Sequence, residues 1–253
     1  MIFDIHTHCN CGLKSDLPDE EIDKKSFDYL MKEYESSGIS AGGFSFYSSI
    51  FSPCDIYESN ELLYCKALRD KRIFQWLVLD PRQKKLFSQI EDKISGNRVL
   101  GIKIHSIAHG YDIKEYGDKI FSFANELNCF VLSHPDSQDD LRHIVAFADK
   151  YPNAKIINAH LGSKAYVDAI EYAENGNVYT DTSGWKSSFN RIIEYAVQRV
   201  GSEKIFFGTD NYACGFHKGR IEYALISERD KENIFYKNAL NNFGKKTEGL
   251  TDD

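Results

Sequence analysis

The residues best suited to chemistry open the chain. Asp4, His6 and His8 fall in the run DIHTH at 4–8. Alternation along a β-strand would put Ile2, Asp4, His6 and His8 on one face and Phe3, Ile5 and Thr7 on the other. Two imidazoles two residues apart can grip one ion, and neutral imidazole suits zinc, iron, nickel and similar metals. An H-x-H pair alone is also compatible with a structural role, so the missing ligands must come from elsewhere in the chain.

What must position them is a strict alternation of strands and helices. After the first strand, Phe27, Leu30, Met31 and Tyr34 recur at helical spacing within 24–36, with Gly38 as a stop. The pattern predicts strands at 39–46, 72–81, 98–105, 128–134, 154–160, 177–183 and 203–210. It predicts intervening helices at 60–70, 85–95, 116–127, 137–151, 164–174 and 191–200, and a last helical region over 225–244. That makes eight βα units. Strict alternation implies a parallel sheet, because parallel neighbours need crossover connections. Eight units in 253 residues favour an α/β chain closed as a (β/α)8 TIM barrel, a single domain over 1–253. An open doubly wound sheet would carry a glycine-rich phosphate loop after its first strand, where this chain has histidines. Only the polar stretch 245–253 reads as a flexible tail.

In such a barrel chemistry sits where the strands end. His6, His8, His105, His134 and His160 fall at predicted strand ends, and Asp210 closes the last strand. His109 and His217 fall in loops just beyond, and only His143 sits on a predicted helix. Any one of these could be a satisfied core histidine. Five converging at strand ends point to a shared site. Lys103 and His105 share a strand face and so can both point into the barrel. His109, Tyr111, Trp185, Asn211 and His217 lie in loops that would rim the pocket.

With these residues the chain resembles the amidohydrolase superfamily, and more narrowly its amidohydrolase-related branch, which includes aminocarboxymuconate-semialdehyde decarboxylase-like and lactonase-like enzymes. The matching pieces are DIHTH at 4–8, GIKIHS at 101–106, VLSHPD at 131–136, INAHLG at 157–162, VYTDTSG at 178–184, FFGTD at 206–210 and KNALNNFG at 237–244. The resemblance implies that His6, His8, His134 and Asp210 hold one divalent metal, with zinc favoured over manganese or iron. It implies that Asp210 also moves protons and that His160 activates water or polarises the substrate. Lys103, His105, His109 and Trp185 are then the expected substrate-binding residues. In binuclear members a carboxylated lysine bridges two metals. A second metal on a carboxylated Lys103 is the less favoured arrangement.

The leading expectation is therefore a metal-dependent hydrolase of an amide or lactone in a small molecule, using a metal-activated water. A metal-dependent decarboxylase of a small carboxylate is the alternative, since an ion that polarises a substrate oxygen can assist loss of CO2 as well. A phosphoesterase or nuclease would want further strand-end carboxylates, and the third strand offers only Asp80. A metal-binding protein without turnover is the remaining reading. A formal charge of -7 argues against a nucleic-acid partner, and no apolar run is long enough to span a membrane. The six dispersed cysteines suit reduced thiols and a cytoplasmic setting. Cys9 and Cys11, just after His8, are either extra ligands or ordinary loop thiols. A homo-oligomer is expected by analogy with such enzymes.

Overall fold

The computed structural model describes residues 1–188, 190–210, 213–247 and 250. Its frame is eight strands: β1 (Phe3–Cys9), β2 (Ala41–Phe46), β3 (Ile73–Val78), β4 (Val99–Ile104), β5 (Phe130–Ser133), β6 (Lys155–Asn158), β7 (Val178–Asp181) and β8 (Ile205–Phe206). They pair in sequence order, every neighbour parallel. Backbone bonds from Ile5 N to Phe207 O and from Asp210 N to His6 O, both 2.8 Å, carry the ring from the last strand back to the first. The chain is the (β/α)8 barrel that the alternation predicts.

The outer helices are α1 (Phe27–Ser37), α2 (Tyr47–Phe51), α3 (Ile56–Ala67), α4 (Lys84–Lys93), α5 (Ser106–His109), α6 (Ile113–Glu126), α7 (Gln138–Lys150), α8 (Lys164–Tyr172), α9 (Ile192–Val200), α10 (Cys214–Glu222), α11 (Glu228–Glu232) and α12 (Asn238–Phe243). Their starts follow cap chemistry. The Ser26 hydroxyl accepts from Tyr29 N, which sets α1 three residues later than periodicity alone predicts. At α7 Ser137 and Asp140 form a reciprocal capping box.

Three short helices escape the periodic pattern. They are α2, α5 and α10, and the last two place His109 and His217 on helices rather than in loops, both buried. The predicted strand 203–210 shrinks to two residues where Phe207 N, on the edge that faces β1, bonds to Ile234 O in the π-helical turn Asn233–Lys237.

The first strand also departs from simple alternation. Phe3 and Ile5 pack inside the barrel with Phe74, Trp76, Leu100 and Phe130, whereas Ile2 packs against Leu30, Met31 and Tyr34 of α1. The pairing of β1 with β2 slips between Asp4 and Thr7. Below the slip the odd residues face inward; above it His6 and His8 do. Asp4 is thereby turned away from the histidines toward α1, where its carboxylate accepts from Tyr34 OH (2.8 Å), Thr209 Oγ1 (2.6 Å), Thr209 N (3.1 Å) and His6 N (3.1 Å). The expectation that Asp4 shares their face is corrected accordingly.

The lower end of the barrel is closed from outside the strands. Phe243, on α12, lies 4.7 Å from Phe130 and 6.1 Å from Trp76 between ring centroids. Beyond it the expected tail is partly docked: Thr247 is buried, and Lys246 Nζ donates to Ile94 O and Val99 O. Residues 248, 249 and 251–253 of that tail lie outside the described residues. Among the described residues no helix is long and apolar enough to cross a membrane.

Candidate metal centre

Strand ends deliver the donors. β1 contributes His6 and His8, the residue after β5 is His134, two residues after β6 stands His160, and the segment after β8 ends in Asp210. His6 Nε2 and His8 Nε2 are 3.0 Å apart. Asp210 Oδ1 lies 3.6 Å from the first and 3.3 Å from the second. Its other oxygen, Oδ2, lies 3.9 Å from His160 Nε2. His160 Nε2 in turn is 3.0 Å from His134 Nδ1. The donors thus form one chain, His8, His6, Asp210, His160, His134, and the atoms of His6, His160 and Asp210 all lie within 4.8 Å of one another.

Two of these residues have backbones that L side chains seldom adopt. His160 has φ 68° and Asp210 φ 59°. Each is held there by a bond to its amide, His160 N to Asp181 Oδ1 (3.1 Å) and Asp210 N to His6 O (2.8 Å). Such strain costs on the order of 1–3 kcal/mol per residue and persists only where the surroundings over-determine it.

Behind the rings stand Asp181, the last residue of β7, and Ser183. Asp181 Oδ2 is 3.0 Å from His6 Nδ1. Ser183 Oγ is 3.0 Å from His6 Nδ1 and 2.8 Å from His160 Nδ1, and its hydroxyl donates to Asp181 Oδ1 in a short bond. Both side chains are fully buried.

Burial sets the electrostatics. It pushes His6 well below the ordinary imidazole value, aided by the positive charge of Lys103. His105 is pushed down to about 2 by burial and then by Lys103, and His134 falls further for the same reason, with His160 beside it. Burial thus favours the neutral form of these imidazoles. Burial alone would raise Asp210, but His160 and the contacts of His8 and His6 overcome it and hold the carboxyl well below its usual range. Lys103, wholly buried with Nζ 3.3 Å from His6 Nε2, is pushed down to about 8 by desolvation, against the pull of Asp210 and Asp181.

The structure brings His6, His8, His134, His160, Asp210 and Lys103 together. His105 joins them, its ring stacked on His134 with centroids 4.1 Å apart and its Nδ1 accepting from Ala108 N at the start of α5. Trp185 stands exposed in the loop after β7. His109 is buried with its Nε2 donating to Ser49 O (3.0 Å), a bond that ties α5 to α2. Tyr111 and His217 are likewise buried rather than rimming an opening, and Asn211 lies outside the described residues. Cys9 packs with Leu30 and Met31 on the helix side, and Cys11 Sγ contacts Ser48 Oγ and Asp16, so neither joins the donors. All six cysteines are free. Sequence reasoning assigns no role to Asp181 or Ser183, although the strand-end position that selects Asp210 selects Asp181 equally.

The profile of the amidohydrolase family matches residues 3–245. Among solved structures, the chain is similar to 2,6-dihydroxybenzoate decarboxylase from Rhizobium, with a TM-score of 0.76, 15% identity, and 96% of this chain and 98% of that chain covered. It is similar to 5-carboxyvanillate decarboxylase from Sphingomonas paucimobilis, with TM-score 0.78, 14% identity and coverages of 96% and 98%. A dihydroxybenzoic acid decarboxylase from Polaromonas, solved with manganese and the inhibitor 2-nitroresorcinol, gives TM-score 0.73, 17% identity and 96% coverage of both chains. At these identities the likeness is one of fold. No curated protein sequence matches.

Proposed function

Because this chain belongs to the amidohydrolase family, we propose that it is a metal-dependent decarboxylase acting on a small aromatic carboxylate. The observation that carries the reading is the division of Asp210: one oxygen sits with His6 and His8, the other faces His160. One carboxylate therefore joins a metal-binding half to a proton-handling half. Of the two activities that the sequence suggests, the end-to-end fold likeness to decarboxylases supports C–C cleavage over hydrolysis.

The donor set fits a divalent ion. Ligands at about 2.1 Å in tetrahedral array stand about 3.4 Å from one another, and the donor atoms of His6, His8 and Asp210 are separated by 3.0, 3.3 and 3.6 Å. His134, with Nδ1 turned toward His160, is the fourth ligand in this reading. Zinc, the ion the ligand types favour, and manganese, the ion in one similar structure, are the two metals to load. A bound ion would polarise the substrate oxygen next to the departing carboxyl group.

The chain's own residues supply the rest. Lys103, desolvated at the centre, meets the anionic end of the substrate. The ring lies between the stacked imidazoles of His105 and His134 and the Trp185 loop. His160 Nε2, whose lone pair faces the ionised Asp210, takes up the proton that the step consumes. That proton passes to the ring carbon that bears the carboxylate; the C–C bond then breaks, CO2 leaves, and the electron pair of that bond restores the ring.

The test is CO2 release from 2,6-dihydroxybenzoate and 5-carboxyvanillate by zinc-loaded and manganese-loaded protein, run beside a panel of lactones and amides. Metal-dependent CO2 release supports the reading. Turnover confined to lactones or amides restores hydrolysis.

A further inference from the structure

We propose that Ser183, backed by Asp181, is a shared positioning hydroxyl that fixes the tautomer of both His6 and His160, so that their two Nε2 lone pairs face the metal centre together. The proposal deepens the functional reading above, on which the roles of these histidines rest.

Asp181 accepts only: its Oδ1 takes the Ser183 hydroxyl, Ser183 N at 2.8 Å and His160 N at 3.1 Å, and its Oδ2 takes His6 Nδ1 at 3.0 Å. A hydroxyl has one proton, and that proton is spent on Asp181. Toward the two imidazoles Ser183 Oγ can therefore only accept, at 3.0 Å from His6 Nδ1 and 2.8 Å from His160 Nδ1. Both rings must then carry their hydrogen on Nδ1. Solvent has no access to revise the count, since Asp181 and Ser183 are both wholly buried.

The space for the arrangement is made by two glycines. A Cβ on Gly184 would lie 2.6 Å from His160 Nδ1, and one on Gly208 would lie 3.0 Å from Ser183 Cβ and 3.3 Å from His6 Cβ. The neighbours met are a ring edge and side-chain stems, which cannot swing aside. The runs DTSG at 181–184 and FGTD at 207–210 are thus two halves of one cradle.

The arrangement is unequal, and that makes it testable. His6 Nδ1 has two acceptors, Asp181 and Ser183, whereas Ser183 is the acceptor that holds His160 Nδ1. Loss of the hydroxyl should release His160 and leave His6 in place. Outer partners of metal-site histidines are typically worth about 10–100-fold in metal affinity or activity.

The experiment uses zinc-loaded protein labelled with 15N-histidine, with His160→Asn to identify the His160 signals. Wild-type protein should show both His6 and His160 as Nδ1–H tautomers. In Ser183→Ala the His160 pattern should change while that of His6 stays. Zinc affinity, read by chelator competition, should be held within about threefold, and kcat should fall about 10–100-fold with little change in KM. Asp181→Asn, which places an N–H donor where His6 needs an acceptor, should lower zinc affinity about 10–100-fold. A wild-type spectrum with His160 protonated on Nε2 overturns the proposal without any variant, as does Ser183→Ala with an unchanged His160 pattern. The spectra and affinities stand whether or not the enzyme releases CO2, so a failed decarboxylase assay overturns the function and not the tautomer assignment.

Discussion

His6 and His160 touch the same hydroxyl and face the same carboxylate, yet substituting them should have opposite signatures. In the proposed centre His6 is a ligand, so in His6→Ala metal and turnover should vanish together in elemental analysis and assay. His160→Asn should keep about one metal per chain and lose about 10²–10⁴-fold in kcat, the range of a general acid or base. Metal lost with His160 would make that residue a ligand. The histidines and Asp210 are legible in the sequence because a barrel strand's end is a position that residue type alone can mark. Asp181 is marked by the same rule, as the end of β7, but its work and that of Ser183 is hydrogen bonding to the rings of His6, 175 or more positions away, and His160, which residue type alone does not mark. Asp4 misleads for a related reason: it shares the parity of His6 and His8, and parity holds only while the register does.

That register is a property of the element. β1 uses its lower half for the barrel core and its upper half for the donors, with a one-residue slip between them. Tyr34 of α1 anchors the slip by donating to Asp4. Tyr34→Phe should leave the buried carboxylate one donor short and cost about 1–3 kcal/mol, read as a lower urea midpoint. Metal stoichiometry should survive, because Thr209 and the His6 amide still hold Asp4. The long helices are readable from periodicity because each buries one face, and the strands from short apolar runs buried on both faces. The helices α2 and α5 are too short to show a period, and β8 ends early through a backbone bond to Ile234 that no local pattern announces.

For the whole molecule, the centre joins residues from β1 and β7 and from the segments just after β5, β6 and β8, so an ion bound there ties the ring across its open mouth. Metal at about 100 times its Kd should stabilise the fold by about 2.7 kcal/mol, seen as a melting temperature that rises with metal and falls with chelator. A melting temperature indifferent to both would remove the ion from the folding balance. The other end of the barrel is governed by time rather than by a ligand. Phe243, the ring that stops the floor against Phe130 and Trp76, belongs to a helix made after all eight strands. On a ribosome, therefore, the nascent barrel can line up its strands but cannot seal its interior until that helix has left the exit tunnel. A chain stalled before Phe243 would leave the apolar rings of Phe130 and Trp76 at the barrel floor without their cover.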